Sequence, residues 1–146
     1  VIQSDITQPS ELMKLFEKVK EIRSKNGELY FERWAIIEIS NFAALYIHRI
    51  HKADKDKHLH THPWNFASVI LKGSYIELCD DGKIVKEPGS IAFAGRHFCH
   101  RIEEIISGPV WSLFFVYGKY KPWYYSLGKI ESQEYRKMKN ENNLPV

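Results

Sequence analysis

From residue 30 onward the chain alternates short apolar, β-branched and aromatic runs with turn-forming residues, a rhythm of two rather than of 3.6. Strands are expected near Tyr30–Ile39, Leu45–His51, His60–Leu71, Ser74–Cys79, Ile84–Lys86, Ser90–Ala94, His100–Ile105 and Val110–Tyr117. Lys72-Gly73 and Asp80-Asp81-Gly82 have the residue types of hairpin turns, and Glu87-Pro88-Gly89 and Ser107-Gly108-Pro109 mark two more. The rhythm before this region differs. Leu12, Leu15, Phe16, Val19 and Ile22 recur at helical spacing behind a cap at Ser10, and Asn26-Gly27 supplies a left-handed stop, which predicts an α-helix over about 10–26. After Trp123-Tyr124-Tyr125 the sequence turns polar, with a short helix predicted over Gln133–Lys139 and a frayed tail over Asn140–Val146.

Strands that return about every eight to twelve residues indicate an all-β barrel or jelly roll. A chain of 146 residues suits one domain, expected as a helix over about 10–26, a barrel over about 30–125 and a polar tail over 126–146. The 44% hydrophobic and 27% charged content is that of a soluble globular protein, and 14% aromatics favour strands. A net charge of +3, with lysines clustered only at Lys52–Lys57 and Lys119–Lys121, gives no reason to expect a nucleic-acid partner. No apolar run approaches the roughly 20 residues of a membrane-spanning helix. No leader-like stretch follows Val1, and the two cysteines, Cys79 and Cys99, form neither a CxxC pair nor a disulfide framework. The expectation is a reduced, cytoplasmic protein with no membrane association.

Candidate chemistry lies in the histidines, all seven of which fall between His48 and His100. His58, His60 and His62 alternate, so on an extended chain they share a face with Trp64, Phe66, Ser68 and Ile70. Polar ligands at one end and apolar side chains at the other suit a strand that enters a barrel mouth and runs into its core. His100 opens a separate strand after Gly95. Neutral imidazoles gathered on one face can hold a divalent transition metal, Fe, Zn, Ni, Cu or Mn, and leave positions open for substrate or dioxygen.

These residues resemble a family pattern. His60-Thr61-His62, then Phe66 after three residues and Gly73 after six more, resembles the first cupin motif, and Gly82–His100, with Pro88-Gly89 and Gly95, resembles the second. The resemblance spans about Leu45 to Tyr117. It implies a double-stranded β-helix with a metal held by His60, His62 and His100. An alternative register, His58 and His60 with Asn65, puts Gly73 one residue out of phase. The sequence departs from the motif at Phe66, which stands where cupins carry a glutamate ligand. Either Glu77, beyond Gly73, restores a carboxylate to the metal, or the site is a bare three-histidine face as in thiol dioxygenases. Cys99-His100-Arg101-Ile102-Glu103, followed by Trp111-Ser112-Leu113-Phe114, looks like the third-histidine region of cysteine dioxygenase. Tyr117 lies one residue off that family's catalytic tyrosine, and the crosslinking cysteine has no counterpart near Phe66.

The candidates for catalytic work are therefore Glu77, Tyr117 and Arg101, each weighed against a plain packing or ion-pair role. Arg49, Arg96 and Arg101 could fork onto an anionic substrate, Trp64 could shape the pocket mouth, and Tyr75 could present a hydroxyl. His48 is either a hydrogen-bonded barrel histidine or a substrate contact, and His51 and His97 are expected in loops. The function expected is a metal-dependent small-molecule enzyme, with dioxygenase-like oxygen chemistry at non-haem iron as the leading case and an anionic small-molecule substrate. A non-catalytic ligand-binding or sensing cupin, or a metal-assisted sugar isomerase or epimerase, is the alternative. Cupins often pair through sheet edges, so the resemblance allows a homodimer.

Overall fold

The structure, a computed structural model, describes residues 13–39, 42–55, 58–62, 64–118, 124–125 and 130–131. Among the described residues nine strands follow one another as β1 (Met13–Arg23), β2 (Leu29–Ile39), β3 (Ala43–Ile50), β4 (Asn65–Cys79), β5 (Gly82–Lys86), β6 (Ile91–Ala94), β7 (His100–Tyr117), β8 (Tyr124–Tyr125) and β9 (Ile130–Glu131). The first seven form one antiparallel sheet in the order β1-β2-β3-β7-β4-β5, with β6 also paired to β4, while β8 and β9 pair with each other. Among the described residues there is no α-helix, and so none long and apolar enough to cross a membrane.

The helix expected over about 10–26 is thus overturned by β1, which pairs with β2 from Met13↔Ile39 to Arg23↔Leu29. Its apolar stripe fits a helix, but the stripe finds no surface to bury: Phe16 is 81% exposed, and Val19 is the β1 residue packed against the core. What β1 gains is a ladder along the edge of β2, plus ion pairs from Lys18 to Glu21 and Glu32. Pairing with a neighbour outweighs local helix propensity. Ser10 and Leu12, and the helix and tail expected over Gln133–Val146, lie outside the described residues.

Two expected turns prove to be bends inside long strands. Lys72-Gly73 lies within β4 and Ser107-Gly108-Pro109 within β7, and the two strands stay paired on both sides of these points. Asp80-Asp81 does turn the chain tightly from β4 into β5, with Cys79 opposite Gly82. The β4–β7 register shifts repeatedly between Ile70 and Tyr75. This changes which side chains face inward. Before the shift Phe66 and Ile70 are buried, and after it Tyr75, Glu77 and Cys79 are. A regular strand would have sent the two sets to opposite faces.

The inner face continues on β3 with Ala44, Tyr46, His48 and Ile50, and on β7 with Val110, Ser112, Phe114 and Val116. Phe66 stacks on Phe114 at 4.8 Å within one core group, while Ile50, Ile70, Tyr75 and Val110 form a second. Between these groups the inner face encloses a cavity of about 650 Å³, lined from β1, β2, β3, β4, β7 and the segment before β4.

Candidate metal centre

The segment from His58 to Trp64 reaches β4 in extended form, and one backbone bridge fixes it. His60 N–H donates to His100 C=O at 3.0 Å, and His100 N–H donates back to His60 C=O at 3.1 Å. This clamps the histidine run to the start of β7. Alternation then turns His60, His62, Trp64, Phe66, Ser68 and Ile70 toward the cavity, as the shared-face pattern requires. The imidazoles of His60, His62 and His100 offer ligand nitrogens that all lie within 4.8 Å of one another. His62 Nε2 and His100 Nε2 approach to 2.8 Å, and the ring centroids of the three histidines stand 5.0–5.4 Å apart. His58 is not in this group.

Three neutral imidazole donors without thiolate or carboxylate suit a first-row divalent ion with open coordination positions. At His62 the electrostatics favour the neutral form. Burial, then charge repulsion against His100, His60 and Arg33, holds His62 well below the usual imidazole range, so its lone pair is available at neutral pH.

Phe66 occupies the motif position of a carboxylate ligand. Its ring sits edge-on to His62 at 5.7 Å and tilted over His100 at 6.0 Å, and it belongs to the core. Glu77 does not take over the ligand position in this geometry. Its Oε1 accepts a hydrogen bond from His100 Nδ1–H at 2.6 Å, on the ring edge away from Nε2. Burial pushes this carboxyl up, but the His100 hydrogen bond and Lys86, 3.4 Å away, outweigh it and leave Glu77 ionised below the ordinary range. An ionised acceptor fixes the proton on Nδ1 and aims the Nε2 lone pair at the cluster. Glu77→Gln, which keeps an acceptor but removes the charge, is expected to lower divalent-metal affinity about tenfold. Chelator competition on folded protein checks this, and unchanged affinity would refute the orienting role.

The remaining candidates separate by the face on which they lie. Trp64 lines the cavity and stacks on His62 at 5.6 Å with 12° between the planes. Tyr75 also lines it, with burial raising its hydroxyl well above the usual range so that it stays protonated. Tyr117 is 48% exposed, stacked on Phe115, and does not line the cavity. Arg49 lies beyond the cavity wall, 3.5 Å from Glu32 and over the Trp111 ring. Arg101 follows His100 on β7 and does not line the cavity, and Arg96 is exposed and donates to His97 Nε2 at 3.2 Å. His51 is not free in a solvated loop: its Nε2 bonds Glu32 at 2.9 Å.

Arg33 escaped the sequence reading. It lines the cavity, and its Nε–H donates to Nε2 of buried His48 at 2.9 Å. The available signal was its place between Phe31 and Ala35 on the inward face of β2. A charged residue on the apolar side of a strand is worth attention, but the other side mixes Tyr30, Trp34 and Ile36 with Glu32 in the same way, which hides the inward face.

No protein-family model matches the sequence, and no curated protein matches it. Solved structures do. A variant of Streptomyces Pac13 with uridine superposes with a TM-score of 0.53 at 4% identity, over 77% of this chain and 85% of Pac13. Pac13 is described elsewhere as a nucleoside dehydratase, where it matches at 0.52 and 5% identity over 74% of this chain and 82% of that one. HppE in its FeII form gives 0.54 at 12% identity over 70% of this chain, which spans 57% of HppE. These are cupin-fold proteins, and at such identities the likeness is one of fold alone.

Proposed function

We propose that this chain is a metal-dependent small-molecule enzyme of the cupin type, with His60, His62 and His100 holding Fe(II) for dioxygenase-like chemistry. The observation that carries this is the group of three imidazole donors within 4.8 Å of one another in the wall of a 650 Å³ cavity. The FeII form of HppE, on the same fold, supports iron as the ion. When bound, such an ion supplies Lewis acidity and a redox centre for dioxygen. The chain supplies the rest. Glu77 holds the His100 proton on Nδ1, Trp64 walls the cluster, and Phe66 and Phe114 keep the floor of the site apolar and exclude water. Tyr75, protonated and on the cavity wall, can donate a hydrogen bond to a substrate oxygen.

Purified protein reconstituted anaerobically with Fe(II) is expected to bind one ion per chain and to consume oxygen with small thiols or other anionic substrates. His60→Ala is expected to lose both properties. Tight metal binding without oxygen uptake across a substrate panel would overturn the oxygenase part and leave a binding module or an isomerase. Failure to bind Fe(II), Zn(II), Ni(II) or Mn(II) would overturn the metal centre itself.

A further inference from the structure

We propose that Arg33 anchors a carboxylate on the substrate, so that the cavity selects short carboxylic acids carrying their reactive group a few bonds from the acid. The inference rests on the metal-centre reading only for the direction in which the substrate extends.

Arg33 is a cation inside the cavity without an acid of its own. Among the described residues it forms no ion pair, whereas Arg23 is paired with Glu21 and Arg49 with Glu32. Its neighbour Glu32 is committed to Lys18, His51 and Arg49 on the other face of β2. Glu38 acts on Arg33 through its charge but makes no ion pair with it, and accepts instead the Tyr46 hydroxyl at 2.7 Å. A partly buried guanidinium without a counter-ion is costly, and a bound carboxylate would offset that cost.

The side chain is also aimed. His48 is buried, and burial followed by the charge of Arg33 keeps it well below the usual imidazole range, so its Nε2 is a neutral acceptor. That acceptor takes the Arg33 Nε–H and leaves the two Nη groups, which make no hydrogen bond among the described residues. They are also absent from the sealed, unpartnered atoms of the protein, so they reach open space, and Arg33 is part of the cavity wall. Two Nη groups side by side are the fork that a carboxylate fits. The Tyr46, Phe31 and Trp64 rings surround the guanidinium carbon at 4.6, 5.5 and 5.8 Å, holding it by cation–π attraction in an environment that strengthens any ion pair formed there.

Distance to the metal face completes the case. Trp64 is shared: its ring is 5.8 Å from the Arg33 carbon and stacks 5.6 Å from His62. An acid held at Arg33 therefore has the three-histidine face one indole away, within reach of a short chain bearing a thiol or hydroxyl.

The test compares 3-mercaptopropionate with 3-mercaptopropionamide on cobalt-loaded protein, read by visible absorbance. A parallel arm compares butyrate with butyramide on metal-free protein, read by tryptophan fluorescence. In both arms the acid is expected to bind at least tenfold tighter than its amide. Arg33→Met is expected to bring the pair within twofold of each other, Arg33→Lys to lose most of the preference, and Arg96→Met to keep it. Cobalt stoichiometry should be unchanged in all three variants. If Arg33→Met does not fold, Arg33→Lys and the wild-type comparison still decide. Equal binding of acid and amide by wild-type protein, or a preference that survives in the Arg33 variants, would overturn the proposal. Failure to load cobalt, with an Arg33-dependent preference for butyrate intact, would instead overturn the metal centre and leave the anchor standing.

Discussion

Replacing His100 with alanine is expected to lower divalent-metal affinity at least 100-fold while the sheet stays folded. The magnitude follows from dividing the roughly 10–16 kcal/mol of a four-ligand zinc site among its donors, about 3 kcal/mol each, which is about two orders of magnitude. The backbone bridge between His60 and His100 uses main-chain atoms only, so it survives the substitution. Glu77 loses its hydrogen-bond donor but keeps Lys86, 3.4 Å away, as a charge partner. His60→Ala and His62→Ala should behave like His100→Ala. His58→Ala should leave affinity within about twofold, because that imidazole is outside the converging group. Chelator competition across the four variants tests the assignment, and an equal loss from His58→Ala and His100→Ala would refute it.

The difference between His58 and His60 shows what the sequence alone could resolve. Alternation gave the face shared by His60 through Ile70, because a period of two survives wherever the backbone is extended, and the whole set lines the cavity. The pairing of His60 with His100 is a long-range contact, and it was legible through the resemblance to the cupin motifs rather than through any local signal. Glu77 was singled out as a ligand or base, but only the register of β4 against β7 shows that its carboxylate meets Nδ1 rather than the metal face. The β1 segment misled because Leu15, Phe16, Val19 and Ile22 suit a helix locally, while the β2 edge that recruits them is invisible in a window of a dozen residues. Arg33 was missed for a related reason. With apolar and aromatic residues on both sides of β2, nothing local tells which side the guanidinium faces.

Each of these misses concerns a side chain whose partner comes from another strand, and together they rearrange the chemistry. Arg49, Arg96 and Arg101 were the expected anion grips, yet none lines the cavity, whereas Arg33 lines it and is held by His48. Phe66 closes the floor at the position of the motif carboxylate, and the carboxylate of Glu77 instead accepts a hydrogen bond from His100 Nδ1–H. With Glu77 already paired with Lys86, three neutral imidazoles and the partly buried Arg33 would leave excess positive charge once a divalent ion entered. An anionic substrate would balance that charge, and a further carboxylate ligand would diminish the need for one.

Gly73→Ala is expected to destabilise the protein by about 3 kcal/mol, lowering the melting temperature by roughly 10 °C, and to weaken metal binding with it. Gly73 has φ of +78°, where a side chain is disfavoured, and an added Cβ would meet Ser107 O at 2.5 Å and Pro109 O at 3.0 Å. Both contacts are backbone of β7, which cannot swing aside as a flexible side chain would. Relief requires β4 and β7 to separate just where their register shifts, the shift that brings Glu77 to the same face as Phe66. Gly27 supplies the control. Its φ is +82°, but nothing lies within 4 Å of an added Cβ, so Gly27→Ala should cost only the conformational part, about 1 kcal/mol. Thermal melts of the two variants separate backbone conformation from close approach, and metal titration of Gly73→Ala below its melting point reports on the Glu77–His100 contact. If the two alanines cost the same, close packing at Gly73 does not hold the bend, and the placement of Glu77 must depend on other parts of the β4–β7 pair.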